Sequence, residues 1–291
     1  MMGRARGIDG GATQPGVLLL GLRHPAEGCE VSEKLLIDLA DGVATLTFNR
    51  PDKANAMDLE LMRDLMHAAI RCDEDPAIRA VVVTGSGRFF SAGGDLAAFA
   101  DAGDAVGSLL KEMTVYFHAA ISRFARMDAP MISAVNGTAA GAGFSFVAAS
   151  DIALAAGSAT FVSAYTAANN SPDGSSTYFV PRLIGMRRAM ELMLTNRRLS
   201  ADEALEWGLV TGVVPDDDLM EAATSLAADL AGGATLAYGA VKRLLNESFS
   251  GTLETQMEAE ARSIAALAMT NDGREGRNAF FEKRPANFTA T

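Results

Sequence analysis

Two short runs of apolar residues, each leading into a glycine-rich turn, restrict the possible folds more than any other feature of the chain. Residues 80–84 precede the turn TGSGRFFSAGGDL, and residues 131–135 precede NGTAAGAGF. Segments 58–72 and 102–127 follow a helical spacing of apolar side chains, and 102–127 lies between the two turns. Strands that alternate with helices in this way predict an α/β fold with a buried sheet.

The rest of the chain extends the same pattern. LLIDLADGVATLTF (residues 35–48) predicts a β-hairpin that turns at Asp41 and Gly42. Ser200 and Glu203 form a capping-box pattern that starts a helix reaching Gly208. Further elements are predicted as a helix resuming near 143, a strand at 152–155, an irregular segment at 163–173, a helix at 187–195 and helices over most of 219–281. We therefore predict three regions: a flexible extension at 1–30, an α/β core at 31–215 and a helical region at 216–291.

Composition excludes several classes of function. A net charge of -11 argues against a nucleic-acid surface and a basic membrane patch, so an anionic ligand needs a local basic group. Cys29, Cys72 and three histidines match no metal motif or disulfide framework, which indicates a reducing cytoplasm. The apolar run at 17–20 is shorter than the core of a signal peptide.

The two glycine turns are the candidate functional features. Each is able to direct unpaired backbone N–H groups and the positive end of a helix at one developing negative charge. Taken singly, either turn is also explained by close packing of a strand and a helix, which glycine permits. Neither matches a nucleotide-binding loop, because GxGxxG and GK[ST] are both missing from them.

Six segments carry a resemblance to the crotonase family of enoyl-CoA hydratases and isomerases. They are FNRPDKANAMD (48–58), FFSAGGDL (89–96), AVNGTAAGAGF (134–144), SPDGSSTYFVPRLIG (171–185), LSADEALEWGLVTGVV (199–214) and AFFEKRPANF (279–288). The resemblance covers residues 31–288. It implies a spiral of ββα units, followed by C-terminal helices that pack on neighbouring subunits in a homotrimer or homohexamer.

The resemblance also implies a site for an acyl-coenzyme A thioester, without a tightly bound cofactor. The backbone N–H groups of Gly94 and Ala142 take the oxyanion-hole positions, where they hold the thioester oxygen of an enolate. Lys283 approaches the coenzyme A phosphates from a neighbouring subunit, or else forms a solvated tail with Arg284. The backbone that lines the coenzyme A channel is implied to lie near Lys53, Ala54, Ala92, Asp95 and Leu96.

The reaction depends on the acids beside that hole. The two glutamates that hold water in the family's hydratases are replaced here by Ser145 and Tyr165, which cannot do the same acid and base work near neutral pH. Asp173 matches the carboxylate of the family's isomerases, and proton transfer by one carboxylate suffices for isomerisation. Within SPDGSS, Asp173 is also explained as a turn residue. We predict an isomerase that moves a double bond or rearranges a ring by proton transfer, with hydration in fatty-acid or aromatic-acid degradation as the main alternative.

Two further alternatives stay open. The segment IGMRRAMELMLTNR (184–197) resembles the corresponding helix of 4-chlorobenzoyl-CoA dehalogenases. Asp173 matches the position of the aspartate nucleophile in those enzymes, and His118 matches the position of a histidine. Tyr165 stands where those enzymes have a tryptophan, and His118 has a structural explanation as well. A non-catalytic acyl-CoA binder is the second alternative. Ser145, Tyr165 and His118 are expected to shape the acyl pocket.

Overall fold

The computed structural model of the protein describes residues 32–291. The strands are β1 (Leu35–Ala40), β2 (Val43–Phe48), β3 (Ala80–Gly85), β4 (Phe89–Ser91), β5 (Met131–Val135), β6 (Thr138–Ala140), β7 (Ile152–Ala156), β8 (Thr160–Val162), β9 (Leu199–Ser200) and β10 (Gly212–Val214). The helices are α1 (Leu59–Glu74), α2 (Leu96–Asp101), α3 (Val106–Phe124), α4 (Ala142–Ala149), α5 (Ser176–Ile184), α6 (Met186–Thr195), α7 (Ala201–Trp207), α8 (Leu219–Ala231), α9 (Thr235–Glu247), α10 (Leu253–Ala268) and α11 (Asn271–Glu282). The predicted flexible extension at 1–30 lies outside the described residues.

The larger sheet has six strands in the order β1-β2-β3-β5-β7-β10. The predicted hairpin is confirmed, because β1 and β2 pair antiparallel from Leu35 opposite Phe48 to Ala40 opposite Val43. The other neighbours pair in parallel. β3 and β5 are buried along their whole length, as the apolar composition of central parallel strands requires.

A second sheet, which the sequence did not predict, carries the strands that lead to the glycine turns. It has the order β4-β6-β8-β9, and its strands are only two or three residues long. β4 pairs in parallel with β6, and β6 pairs in parallel with β8. The units therefore run strand, strand, helix: the first strand enters the large sheet, and the second enters the small one. The expectation that each turn directly follows its long strand is corrected by β4 and β6.

The predicted helix at 102–127 is shorter than expected and has a separate helix before it. α2 ends at Asp101, and Gly103 follows with φ +49. Since a right-handed helix cannot include a residue in that backbone conformation, the helix is interrupted there and α3 begins at Val106. α3 ends at Phe124, whose carbonyl oxygen accepts a hydrogen bond of 2.8 Å from Lys242 Nζ.

The helical C-terminal region is confirmed, although its first helix belongs to the core. α8 lies beyond the predicted boundary at 215, and it packs against β2, β3, β5 and β7 through Leu219, Ala223, Ala227 and Ala231. α10 and α11 leave large apolar side chains exposed, among them Phe280 and Phe281. None of the helices formed by residues 32–291 is both long enough and apolar enough to cross a membrane.

Candidate active site

The two glycine turns lie against each other, because their strands are neighbours in the small sheet. Gly93 follows β4 with φ +93, and Gly141 follows β6 with φ +52 and ψ -120. Residues that have a side chain rarely adopt either of these backbone conformations. A Cβ added at Gly93 would lie 2.8 Å from the Ala140 carbonyl oxygen and 3.1 Å from the Ala142 nitrogen. Glycine is therefore needed at residue 93 both for the backbone conformation and for the close approach of the turns.

The two predicted oxyanion donors come together at this contact. Ala142 is the first residue of α4, so its N–H group lies at the positive end of that helix. Gly94 precedes Asp95, which caps α2. Within residues 32–291, neither N–H group donates a hydrogen bond to protein. Both donors are thus left for a ligand oxygen, as the predicted oxyanion hole requires.

The turn that carries Gly94 is fastened to the preceding loop. The Met57 N–H group donates to the Gly93 carbonyl oxygen at 2.7 Å, and the Asp95 N–H group donates to the Met57 carbonyl oxygen at 3.0 Å. These two bonds hold the peptide units on either side of Gly94. The orientation of the Gly94 N–H group is therefore set by Met57.

Arg50 secures the same loop, and sequence reasoning missed this residue. Its guanidinium lies 3.0 Å from Asp95 Oδ2 and 3.3 Å from Asp58 Oδ2, and it also donates to the Ala56 carbonyl oxygen. Burial alone would raise the pKa of the Asp95 carboxyl, but the bonds from Arg50 and from the N–H groups of α2 keep this pKa below its usual value. The signal was present, since Arg50 lies inside the FNRPDKANAMD segment.

A cavity of about 240 Å³ opens beside the two donors. One wall is apolar and comes from α1, α2 and α3 through Met62, Phe99, Leu110 and Met113. The opposite wall comes from the loop between β8 and α5. The full lining is Met62, Ala92, Gly94, Leu96, Phe99, Leu110, Met113, Thr114, Gly141, Ala142, Ala164, Tyr165, Ala168, Asn170, Ser171 and Asp173.

Asp173 and Tyr165 are the ionisable side chains in this lining. The Tyr165 hydroxyl donates to Asp173 Oδ1 at 2.6 Å, and Ser145 Oγ lies 2.7 Å from the same hydroxyl. Burial and the negative charge of Asp173 raise the pKa of Tyr165 well above its usual value. Asp173 Oδ2 makes no hydrogen bond within residues 32–291, so this oxygen is left for a ligand.

Ser145 and His118, which were expected to shape the acyl pocket, are not among the residues that line the cavity formed by the described part of the chain. Ser145 is fully buried behind Tyr165. His118 is exposed on α3, and its Nε2 accepts a hydrogen bond of 3.2 Å from the Gly174 N–H group. Each residue acts on the cavity through a neighbour: Ser145 contacts Tyr165, and His118 holds the peptide that follows Asp173.

The residues expected along the coenzyme A channel divide into two groups. Ala92 and Leu96 line the cavity, and the Ala92 N–H group donates to the Ala54 carbonyl oxygen at 2.9 Å. Lys53 is exposed one residue before Ala54. The Asp95 carboxylate is bonded to Arg50 and to the N–H groups of α2, and the Asp95 backbone groups are bonded to Met57 and Phe99. Lys283 is exposed at the end of α11 and does not line this cavity.

Comparison with known proteins identifies the family. A family model described as enoyl-CoA hydratase/isomerase matches residues 38–291. The chain belongs to the enoyl-CoA hydratase/isomerase family. The resemblance carried by the six sequence segments is thereby confirmed.

Members of the enoyl-CoA hydratase/isomerase family with different names are about equally similar to this chain. The 4-chlorobenzoyl coenzyme A dehalogenase-2 of Arthrobacter sp is 38% identical over 231 residues, which cover 79% of this chain and 84% of that one. The 1,2-epoxyphenylacetyl-CoA isomerase of Escherichia coli (strain K12) is 37% identical over 258 residues, covering 88% and 98%. Sequence similarity alone therefore does not distinguish between these reactions.

The fold of this family member agrees with solved structures. The crystal structure of an enoyl-CoA hydratase from Bacillus anthracis superposes with a TM-score of 0.83 at 31% identity, covering 89% of this chain and 100% of that one. The predicted crotonase-like α/β fold with a helical C-terminal region is confirmed.

Proposed function

We propose that this protein is an acyl-CoA isomerase that transfers a proton within an unsaturated acyl-CoA thioester. The observation that supports this proposal is the set of polar groups that line the cavity. They are two unpaired backbone N–H groups, from Gly94 and Ala142, and one carboxylate, from Asp173. Two such donors stabilise an enolate oxygen, and one carboxylate is sufficient to remove and return a proton. The reaction consumes no water and needs no tightly bound cofactor.

The proposed step begins with the thioester oxygen bound to the Gly94 and Ala142 N–H groups. The free oxygen of Asp173 takes a proton from a carbon of the acyl chain, and the electrons of the broken C–H bond form a dienolate. The same oxygen then returns the proton to a different carbon, which moves the double bond. The positive end of α4 favours the charge that develops on the thioester oxygen. Each oxyanion donor contributes about 3 kcal/mol to such a step.

Hydration is the main alternative, and the contacts of Ser145 and Tyr165 argue against it. These residues stand where the resemblance places the two water-holding glutamates. Their hydroxyls lie 2.7 Å apart, which leaves no space for a water molecule between them. The raised pKa of Tyr165 also keeps the phenol protonated, so it is unable to act as a base near neutral pH.

Dehalogenation has one observation in its favour and one against it. The carboxylate of Asp173 lines the cavity, as a nucleophile would. His118, the expected partner, lies outside that lining, and its Nε2 is already engaged by the Gly174 N–H group. The free Asp173 Oδ2 beside two unpaired donors likewise favours catalysis over a role as a passive acyl-CoA binder.

Binding of coenzyme A is proposed at the mouth of the cavity, near Ala54, Ala92 and Leu96. Lys53 supplies positive charge from the same chain. We place Lys283 of a neighbouring subunit at the phosphates, in a homotrimer or homohexamer. This assembly would cover the exposed apolar side chains of Phe280 and Phe281.

A substrate screen in deuterated water tests the proposed reaction. The purified protein is incubated with crotonyl-CoA, 3-hexenoyl-CoA, phenylacetyl-CoA and 4-chlorobenzoyl-CoA, and the products are analysed by mass spectrometry. Isomerisation predicts deuterium in the acyl chain and interconversion of the 2-enoyl and 3-enoyl forms, without net addition of water. A 3-hydroxyacyl-CoA as the main product would contradict the proposal and favour a hydratase. Release of chloride from 4-chlorobenzoyl-CoA would favour a dehalogenase.

A further inference from the structure

A chain of three hydroxyl and carboxyl groups lies behind the cavity wall. Ser145 Oγ is 2.7 Å from Tyr165 Oη, and Tyr165 Oη is 2.6 Å from Asp173 Oδ1. Ser145 comes from α4, whereas Tyr165 and Asp173 belong to the loop between β8 and α5. Three positions that are far apart in the sequence are therefore joined in one hydrogen-bonded chain.

The direction of donation along this chain follows from the number of available protons. An ionised carboxylate only accepts hydrogen bonds, and a phenol has a single proton to donate. Tyr165 therefore donates to Asp173, and its oxygen is left to accept from Ser145. Ser145 Oγ also lies 3.2 Å from the carbonyl oxygen of Gly141. Gly141 is the residue before Ala142. The chain thus begins beside one oxyanion donor and ends on the carboxylate.

We propose that Tyr165 is a positioning residue for Asp173: its hydroxyl holds Oδ1, so that Oδ2 faces the substrate in one fixed orientation. This inference rests on the proposed function of Asp173 in proton transfer. A carboxylate attached by one rotatable side chain adopts several rotamers, and a charge-assisted hydrogen bond restricts them.

Within residues 32–291, Tyr165 is the side chain that donates a hydrogen bond to the Asp173 carboxylate, whereas Ser176 Oγ donates to the Asp173 backbone carbonyl oxygen at 2.9 Å. On α3, His118 is bonded to the Gly174 N–H group rather than to the carboxylate. On α4, Ser145 contacts Tyr165, and a Cβ added at Gly174 would lie 2.9 Å from the Ser145 Cβ. Within residues 32–291, the cavity lining includes no ionisable side chain besides Tyr165 and Asp173.

Tyr165→Phe in the full-length protein tests the inference, since it removes only the hydroxyl. With 3-hexenoyl-CoA as the probe, we expect kcat to fall about tenfold while KM changes less than about twofold. Tyr178→Phe is the matched control, because the Tyr178 hydroxyl also donates a hydrogen bond, to the Asn246 carbonyl oxygen at 3.0 Å, but lies outside the cavity lining. It should keep the wild-type kcat and KM.

A second pair of variants separates an error in this inference from an error in the proposed function. If Tyr165 acts through Asp173, then Tyr165→Phe should have no further effect on the residual rate of Asp173→Asn. An equal loss in both backgrounds, or a wild-type kcat in Tyr165→Phe, overturns the positioning role while leaving Asp173 catalytic. If Asp173→Asn alone keeps the wild-type rate, the proposed function fails first.

Discussion

A Cβ added at Gly93 would lie 3.1 Å from the backbone nitrogen of Ala142. The two glycine turns therefore pack against each other at Gly93, where there is no space for a side chain. Each turn follows a short strand of the small sheet, and those strands pair in parallel. The carboxyl ends of parallel neighbours meet at one edge, which brings the turns together. The relative position of the Gly94 and Ala142 N–H groups depends on this contact.

A methyl group at residue 93 should separate the two turns. In Gly93→Ala, the added Cβ meets the Ala140 carbonyl oxygen, and the backbone is strained at φ +93. We expect deuterium exchange into 3-hexenoyl-CoA to slow by about 100-fold or more. Gly103→Ala is the control: it has φ +49 but no atom within 4 Å of the added Cβ. It should lower the free energy of unfolding by about 1 kcal/mol and leave exchange unchanged. Equal rates in the two variants would contradict the contact.

We expect Lys242 to be important for stability, although it is far in the sequence from the residues that line the cavity. Its Nζ is buried between Asp151 Oδ2 at 2.7 Å and the carbonyl oxygens of Phe124 and Ala129. Burial lowers the pKa of Lys242 and raises that of Asp151, although their mutual attraction opposes both changes. Lys242→Met leaves Asp151 without its cation and the carbonyl oxygens of Phe124 and Ala129 without their donor, so we expect the free energy of urea unfolding to fall by about 2 to 3 kcal/mol.

The adjacent residue provides the control for Lys242. Arg243 pairs with Asp128 at 2.6 Å, but both side chains are largely exposed, at 44% and 38%. Arg243→Met should therefore cost no more than about 1 kcal/mol. Equal losses in the two variants would show that the buried network does not stabilise the packing of α9.

Lys283 should contact the nucleotide end of the substrate rather than its acyl end. Its neighbour Arg284 is bound by Glu275 at 2.6 and 2.8 Å, whereas Lys283 has no ion pair within residues 32–291. For Lys283→Ala we expect KM for an acyl-CoA to rise about tenfold. The corresponding acyl-pantetheine ester, which lacks the nucleotide, should be unaffected. A KM that is unchanged for both esters would assign Lys283 to a solvated tail.

Tyr165 should also influence stability in alkali. Burial and the charge of Asp173 raise its pKa above the value near 10 of an unfolded tyrosine. A raised pKa means that the protonated phenol stabilises the fold below pH 10, and that this contribution is lost as the pH rises through the folded value. The free energy of unfolding should therefore fall more steeply above pH 10 in the wild type than in Tyr165→Phe. Parallel curves from urea unfolding at pH 9 and 11 would contradict this environment.

The long elements of the fold could be predicted from sequence because their periodicity extends over enough residues. The buried strand at Met131–Val135 and the capping box of Ser200 and Glu203 are examples. The small sheet could not be predicted, since a three-residue strand such as Thr138–Ala140 shows no period. The separate helix α2 was missed as well, because its six residues are too few to show a helical period.

The candidate site could be predicted only in part for a similar reason. Gly94, Ala142, Tyr165 and Asp173 were expected near the acyl group, and they line one cavity. The hydrogen bond between Tyr165 and Asp173 was not foreseen, because an eight-residue separation in an irregular loop gives no rule for side-chain contact. The position of Ser145 behind Tyr165 follows from packing of α4 on that loop, which no local pattern encodes.

The most direct test of the central claim is the rate of proton transfer in Asp173→Asn. The asparagine keeps the size of the side chain but cannot accept the substrate proton, so deuterium incorporation from deuterated water into 3-hexenoyl-CoA should slow by about 1,000-fold. Binding of the same thioester, measured by calorimetry, should stay within about threefold of the wild type. Incorporation at the wild-type rate with normal binding would contradict the assignment of Asp173 as the proton-transferring group.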